Sequence, residues 1–146
     1  MQTIDATIAV TGMNATDNPA PGVAVARSLR HEPSFRGRVI GLGYDALDPG
    51  FYAEGLLDGG VILPYPSAGR DAMLAALGRA KHEFGIDVVI PTLDSELRAI
   101  ASAGPELEAL GIRTFVPRMD SLERASKPRL HELARVRPQR LQGRSQ

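Results

Sequence analysis

Short apolar runs alternate along the chain with stretches in which apolar residues recur every three or four positions. That alternation predicts a mostly parallel sheet covered by helices on both faces. The strand-like runs are 7–11 (Thr-Ile-Ala-Val-Thr), 38–43 (Arg-Val-Ile-Gly-Leu-Gly), 60–63 (Gly-Val-Ile-Leu), 88–90 (Val-Val-Ile) and 112–116 (Ile-Arg-Thr-Phe-Val). Between them, Val23, Val25, Ala26 and Leu29 predict a helix ending near His31. Met73, Leu74, Leu77, Ala80 and Phe84 predict the best-defined helix, over 70–84, with Gly85 in a left-handed cap. Leu97, Ile100 and Ala101 mark a further helix that Gly104-Pro105 interrupts, and a short one then runs to Leu110-Gly111.

Turn residues place the boundaries. Gly12 closes the first strand, and a loop rich in Asn, Asp and Pro runs on to Pro21-Gly22. Tyr44 and Asp45 follow the second strand, and Asp48-Pro49-Gly50 is a turn signal that makes Asp45 a turn residue. Pro64-Tyr65-Pro66 stops the third strand, because proline cannot donate to a ladder. Asp120 with Glu123 has capping-box character and starts a short helix. A second start follows at Ser126-Lys127-Pro128, with Leu130, Leu133 and Ala134 as its apolar side. Beyond Glu132 come Arg135, Arg137, Arg140 and Arg144 without helical periodicity, which reads as a solvated basic tail. The expected architecture is a three-layer, Rossmann-like α/β domain of about five mostly parallel strands over residues 1–119, with linker helices over 120–134 and a tail over 135–146.

Composition narrows the function classes. At 146 residues and 15.6 kDa the chain is large enough to bury a core without staples. Its 17 basic and 17 acidic side chains cancel, so neither nucleic acid nor an anionic membrane is an expected partner. The chain has no cysteine, which excludes disulfides, thiolate metal sites and a thiol nucleophile. No leader or spanning segment is legible, and the expected setting is the cytoplasm. His31, His82 and His131 have no ligand-spaced partners and are expected to face solvent.

The candidate chemistry concentrates at 87–97. There the apolar run stops at Pro91 and delivers Thr92, Asp94, Ser95 and Glu96 to the mouth of a helix, where open α/β sheets bind their ligands. These four side chains are candidates to hold a small-molecule substrate. The competing reading is structural: Asp94 or Ser95 caps the helix and Glu96 complements its dipole. In the loop after the first strand, Gly22 at a helix start offers an amide to an anion. The dinucleotide fingerprint, three glycines within six residues, is absent, since Gly12 and Gly22 stand ten apart.

Taken in order, the Pro-Gly-Val helix, the Val-Ile-Gly strand, Val-Ile-Leu-Pro, Val-Val-Ile-Pro-Thr-Leu-Asp-Ser-Glu-Leu and the final Ser-Lys helix resemble the amino-terminal (pre-ATP-grasp) domain of ATP-grasp enzymes. The resemblance is to the carbamoyl-phosphate-synthase-like and biotin-carboxylase-like group, and it covers residues 7–134. It implies a substrate-side domain of an ATP-dependent ligase that activates a carboxylate as an acyl phosphate and transfers it to an amine or similar nucleophile. By resemblance, Gly12, Met13, Asn14, Pro21, Gly22, Thr92, Asp94, Ser95 and Glu96 line the substrate crevice. Lys127 matches a lysine that reaches ATP phosphates, although Ser126 replaces the usual aspartate before it; a surface lysine is the competing reading. ATP and magnesium belong to the parent enzyme, and no catalysis or tight cofactor binding is expected of this chain alone. The lid and catalytic parts of such an enzyme are missing from the sequence, which therefore reads as a fragment whose first partner is the missing ATP-grasp domain. Members of the group often dimerise. The alternative is a free-standing Rossmann-like module binding a nucleotide, NAD(P) or another small ligand.

Overall fold

A computed structural model describes residues 2–15 and 19–124. Five strands form one parallel sheet: β1 (Thr7–Val10), β2 (Arg38–Gly43), β3 (Gly59–Ile62), β4 (Val88–Ile90) and β5 (Arg113–Thr114). Their order is β3-β2-β1-β4-β5, with Ile8 opposite Val39 on one side and Val88 on the other. The helices are α1 (Pro21–His31), α2 (Arg70–Phe84), α3 (Asp94–Ser102), α4 (Gly104–Ala109) and α5 (Met119–Arg124). The expected three-layer, Rossmann-like α/β fold is what the chain adopts.

Side-chain alternation along each strand feeds two cores. Ile8, Val10 and Val39 point to the face covered by Ala26, Val25 and Leu29 of α1. Ala9, Ile40, Leu42 and Val89 point to the opposite face, against Met73, Leu77 and Ala80 of α2, Ile100 of α3 and Leu107 of α4. Burying a side chain such as Leu77 stabilises the fold by about 1.5–3 kcal/mol, so the α2 stripe is a principal source of stability. Gly85 ends α2 in the left-handed conformation, at φ 67°, as its position predicts.

No α-helix covers the crossover from β2 to β3. A single 3-10 turn, Pro49–Tyr52, stands there, and the ring of Phe51 lies over Gly41, Gly43 and Gly60. A Cβ on Gly43 or Gly60 would come within 2.5 and 2.8 Å of that ring, so the glycines make its seat.

Some details differ from expectation. Strand five is two residues long instead of five: the Ile112 amide bonds to Leu107 O at 2.9 Å and its side chain enters the core, while Phe115 turns out to solvent. α3 starts at Asp94 with Leu93 in the capping position and no side-chain cap, so neither Asp94 nor Ser95 caps it. The interruption before Gly104-Pro105 is as expected: α3 ends at Ser102, and both residues form the first turn of the short α4.

The chain divides after Val116 into two units, and α5 belongs to the second. Within α5, Arg124 pairs with Asp120 at 3.0 Å across one turn. Ser126, Lys127, His131, the second linker helix and the basic tail lie outside the described residues.

Candidate functional site

The sheet order places a topological switch between β1 and β4, because the chain leaves β1 toward β2 and β3 and later returns to add β4 and β5 on the other side. In such sheets the crevice beyond the strand ends is the ligand position. Thr11-Gly12-Met13 leaves β1 there, Pro91-Thr92-Leu93 leaves β4, and Tyr44 leaves β2.

A buried acid ties these ends together. Glu96, in the first turn of α3, is fully buried. Its Oε2 accepts the Thr11 hydroxyl at 2.6 Å and its Oε1 accepts the Tyr44 hydroxyl. Thr11 Oγ1 in turn accepts the Thr92 amide at 2.8 Å, so Thr11 joins β4 to the acid. The single Thr11 proton goes to Glu96; the Thr92 hydroxyl, 3.4 Å away, is left as the donor in a long contact and keeps its own lone pairs. Burial raises the Glu96 carboxyl above its ordinary range, and the Thr11, Tyr44 and backbone hydrogen bonds offset part of that rise. Burial and the neighbouring acid together push the Tyr44 phenol up.

Tyr44 links the acid to the rim of the sheet. Its amide donates to Asp48 Oδ2 at 2.9 Å, inside the turn in which Asp45 Oδ1 accepts Leu47 N at 2.8 Å, so Asp45 is the turn residue expected. Its ring stacks on Tyr65, with centroids 5.4 Å apart and planes inclined by 12°.

The glycine loop is closely packed. Gly12 has φ 79°, and a Cβ there would meet Thr92 Oγ1 at 2.0 Å and the Pro21 ring at 2.9 Å. A Cβ on Gly22 would meet the Thr11 carbonyl at 2.0 Å. The Gly22 amide donates to Gly12 O at 3.0 Å, which corrects the expectation that this buried group is free for an anion. Met13 is buried, its carbonyl accepting Gly50 N at 2.8 Å, so it anchors the Phe51 turn. Asn14, Pro21 and Thr92 are half-buried, and Asp94 and Ser95 are exposed.

The structure thus gathers Gly12, Pro21, Gly22, Thr92 and Glu96 around the β1 and β4 ends, with Asp94 and Ser95 on the outer side of the same helix turn. Thr11, Tyr44 and Tyr65 have no site role in the sequence reading. Their only signal is position, each being a polar or aromatic residue just past an apolar strand. Among the described residues, no group of three or more His, Cys, Asp or Glu is placed to hold a metal. Each Glu96 oxygen already accepts one hydroxyl. None of the described helices is long and apolar enough to cross a membrane. His31 and His82 are exposed, as expected.

No protein-family model matches the chain. No curated protein matches it either. Among solved structures it is similar to the biotin carboxylase domain of a single-chain bacterial carboxylase, with a TM-score of 0.55 and 20% identity over 90% of this chain. The chain spans 29% of the length of that protein. At this identity the likeness establishes the fold, and at that level it agrees with the resemblance drawn from the sequence.

Proposed function

We propose that this chain is the substrate-side, amino-terminal domain of an ATP-dependent ligase of the ATP-grasp class, acting on a carboxylate that is joined to an amine or similar nucleophile. The observation that carries the reading is the switch point between β1 and β4, beyond which Thr92, Asp94 and Ser95 follow the β4 end, in a fold matched by part of a biotin carboxylase domain. Thr92, Asp94, Ser95 and Asn14 face the substrate. Glu96 positions Thr92 through Thr11, and Gly12, Met13, Pro21 and Gly22 shape the floor. ATP and magnesium are held by another domain of the parent enzyme, and Lys127 is the one cofactor-binding candidate in this chain. The chain alone does not catalyse, it works in the cytoplasm, and its partners are that domain and a second copy.

The alternative dinucleotide module is less favoured. Glycines in such sites leave room for pyrophosphate. Here the space at Gly12 is taken by Thr92 and Pro21, and that at Gly22 by the Thr11 carbonyl. The test is to sequence the coding region downstream of Ala134 and express it joined to this chain. An encoded lid and catalytic domain, with ADP released only when carboxylate and amine are both supplied, is the expected result. A downstream region encoding no such domain would overturn the reading.

A further inference from the structure

Tyr65 is 61% exposed at the carboxyl edge of the sheet, three residues beyond β3. Pro64 and Pro66 flank it, and its backbone sits at φ −58° and ψ 147°, the extended form favoured before proline. One ring face lies on Tyr44 at 5.4 Å and 12°. Tyr44 is itself fixed at both ends, its amide on Asp48 and its hydroxyl on the buried Glu96. The rest of the Tyr65 side chain is largely exposed. Tyr52, 69% exposed, differs: it stands on the Phe51 turn and spends its hydroxyl on Ala46 O at 2.8 Å.

We infer that the open face of Tyr65 is a stacking platform for a planar, conjugated group of a ligand bound at the carboxyl edge of the sheet. This rests on the reading of that edge as the substrate side, and it adds the class of group the substrate carries. Offset stacking is one of the two geometries that aromatic rings favour, and the Tyr44–Tyr65 pair already adopts it, so a third plane can extend the stack. Part of the ordering cost that weakens most surface sites is met before the ligand arrives, since the flanking prolines restrict the Tyr65 backbone and its ring rests on a Tyr44 held by hydrogen bonds.

The chain has three tyrosines and no tryptophan, so ring-labelled tyrosine reports the site directly. The probes are phenylalaninamide and cyclohexylalaninamide, which match in charge and size and differ in the planar ring, titrated into the full chain and followed by NMR. With phenylalaninamide, the Tyr65 signals shift most and the Tyr44 signals less; with the saturated probe, binding is weaker by roughly fivefold. Tyr65→Leu abolishes the Tyr44 response and Tyr52→Leu preserves it. Equal response to both probes, no shift at Tyr65, or an unchanged Tyr44 response in Tyr65→Leu would each overturn the inference. NAD titrated in parallel separates the two claims: micromolar NAD binding contradicts the ligase reading, whereas loss of stacking selectivity without it contradicts the platform alone.

Discussion

The hydroxyl of Thr11 donates to Glu96 Oε2 at 2.6 Å, joining the end of the central strand to the first turn of a helix 85 residues further along the chain. The same hydroxyl oxygen holds the Thr92 amide, so one side chain fixes two walls of the crevice. In a buried setting such a bond is costly to lose on one side only.

Glu96→Ala leaves two hydroxyls without their acceptor and opens a cavity. A loss of about 2–4 kcal/mol in urea unfolding is expected. Glu96→Gln keeps one acceptor and should cost about 1 kcal/mol. A coupling energy of about 1 kcal/mol or more between Thr11→Val and Glu96→Gln is expected from a double-mutant cycle, and additivity would show that the pair does not act together.

The pH dependence has opposite signs at two acids. Burial raises Glu96 above 4.5, so its protonated form is favoured by folding. That contribution is complete below 4.5 and is lost as pH climbs through the raised folded-state value. At Asp58, burial acts upward, but the Val39 amide, the Arg30 hydrogen bond and the charges of Arg30 and Arg38 outweigh it, so the carboxyl lies below 3.8. Its contribution is present above 3.8 and is lost as pH falls through the depressed folded-state value. Urea midpoints should therefore fall less in Glu96→Gln as pH climbs from 4.5 through that raised value, and lose part of their acid fall in Asp58→Asn.

Glycine substitutions separate backbone strain from crowding. Gly55→Ala, at φ 70° with open space around it, should cost about 1 kcal/mol from backbone conformation alone. Gly12→Ala adds a Cβ 2.0 Å from Thr92 Oγ1 and should cost at least about 2 kcal/mol more, measured by thermal or urea unfolding. Equal costs would mean that Thr92 is not held against the β1 end.

Phe51→Ala strips the cover from Gly41, Gly43 and Gly60. Because Phe51 is half-buried, a loss of about 2–3 kcal/mol is expected, toward the low end for aromatic truncation. Hydrogen exchange should rise first along β3, the edge strand.

The sheet was legible in the sequence because parallel strands buried on both faces read as unbroken apolar runs, and Val88-Val89-Ile90 is such a run. The length of β5 was not, since an edge strand needs only a two-residue ladder and Ile112 is drawn into the core instead. That Thr92 through Glu96 follow a strand end beside the switch point was legible from the apolar run that stops at Pro91. The burial of Glu96 was not, because an acid in the first turn of a helix reads as a solvent-facing partner of the dipole. What buries it are hydroxyls 85 and 52 residues away, on Thr11 and Tyr44, a pairing that only the strand order creates.

The central claim, a substrate-side domain and not a dinucleotide module, is tested most directly by calorimetric titration of the chain with NAD, NADP and magnesium–ATP. The expected result is no tight binding of any of the three, because the glycine loop is filled by Thr92 and Pro21. Micromolar affinity for either dinucleotide would contradict the account.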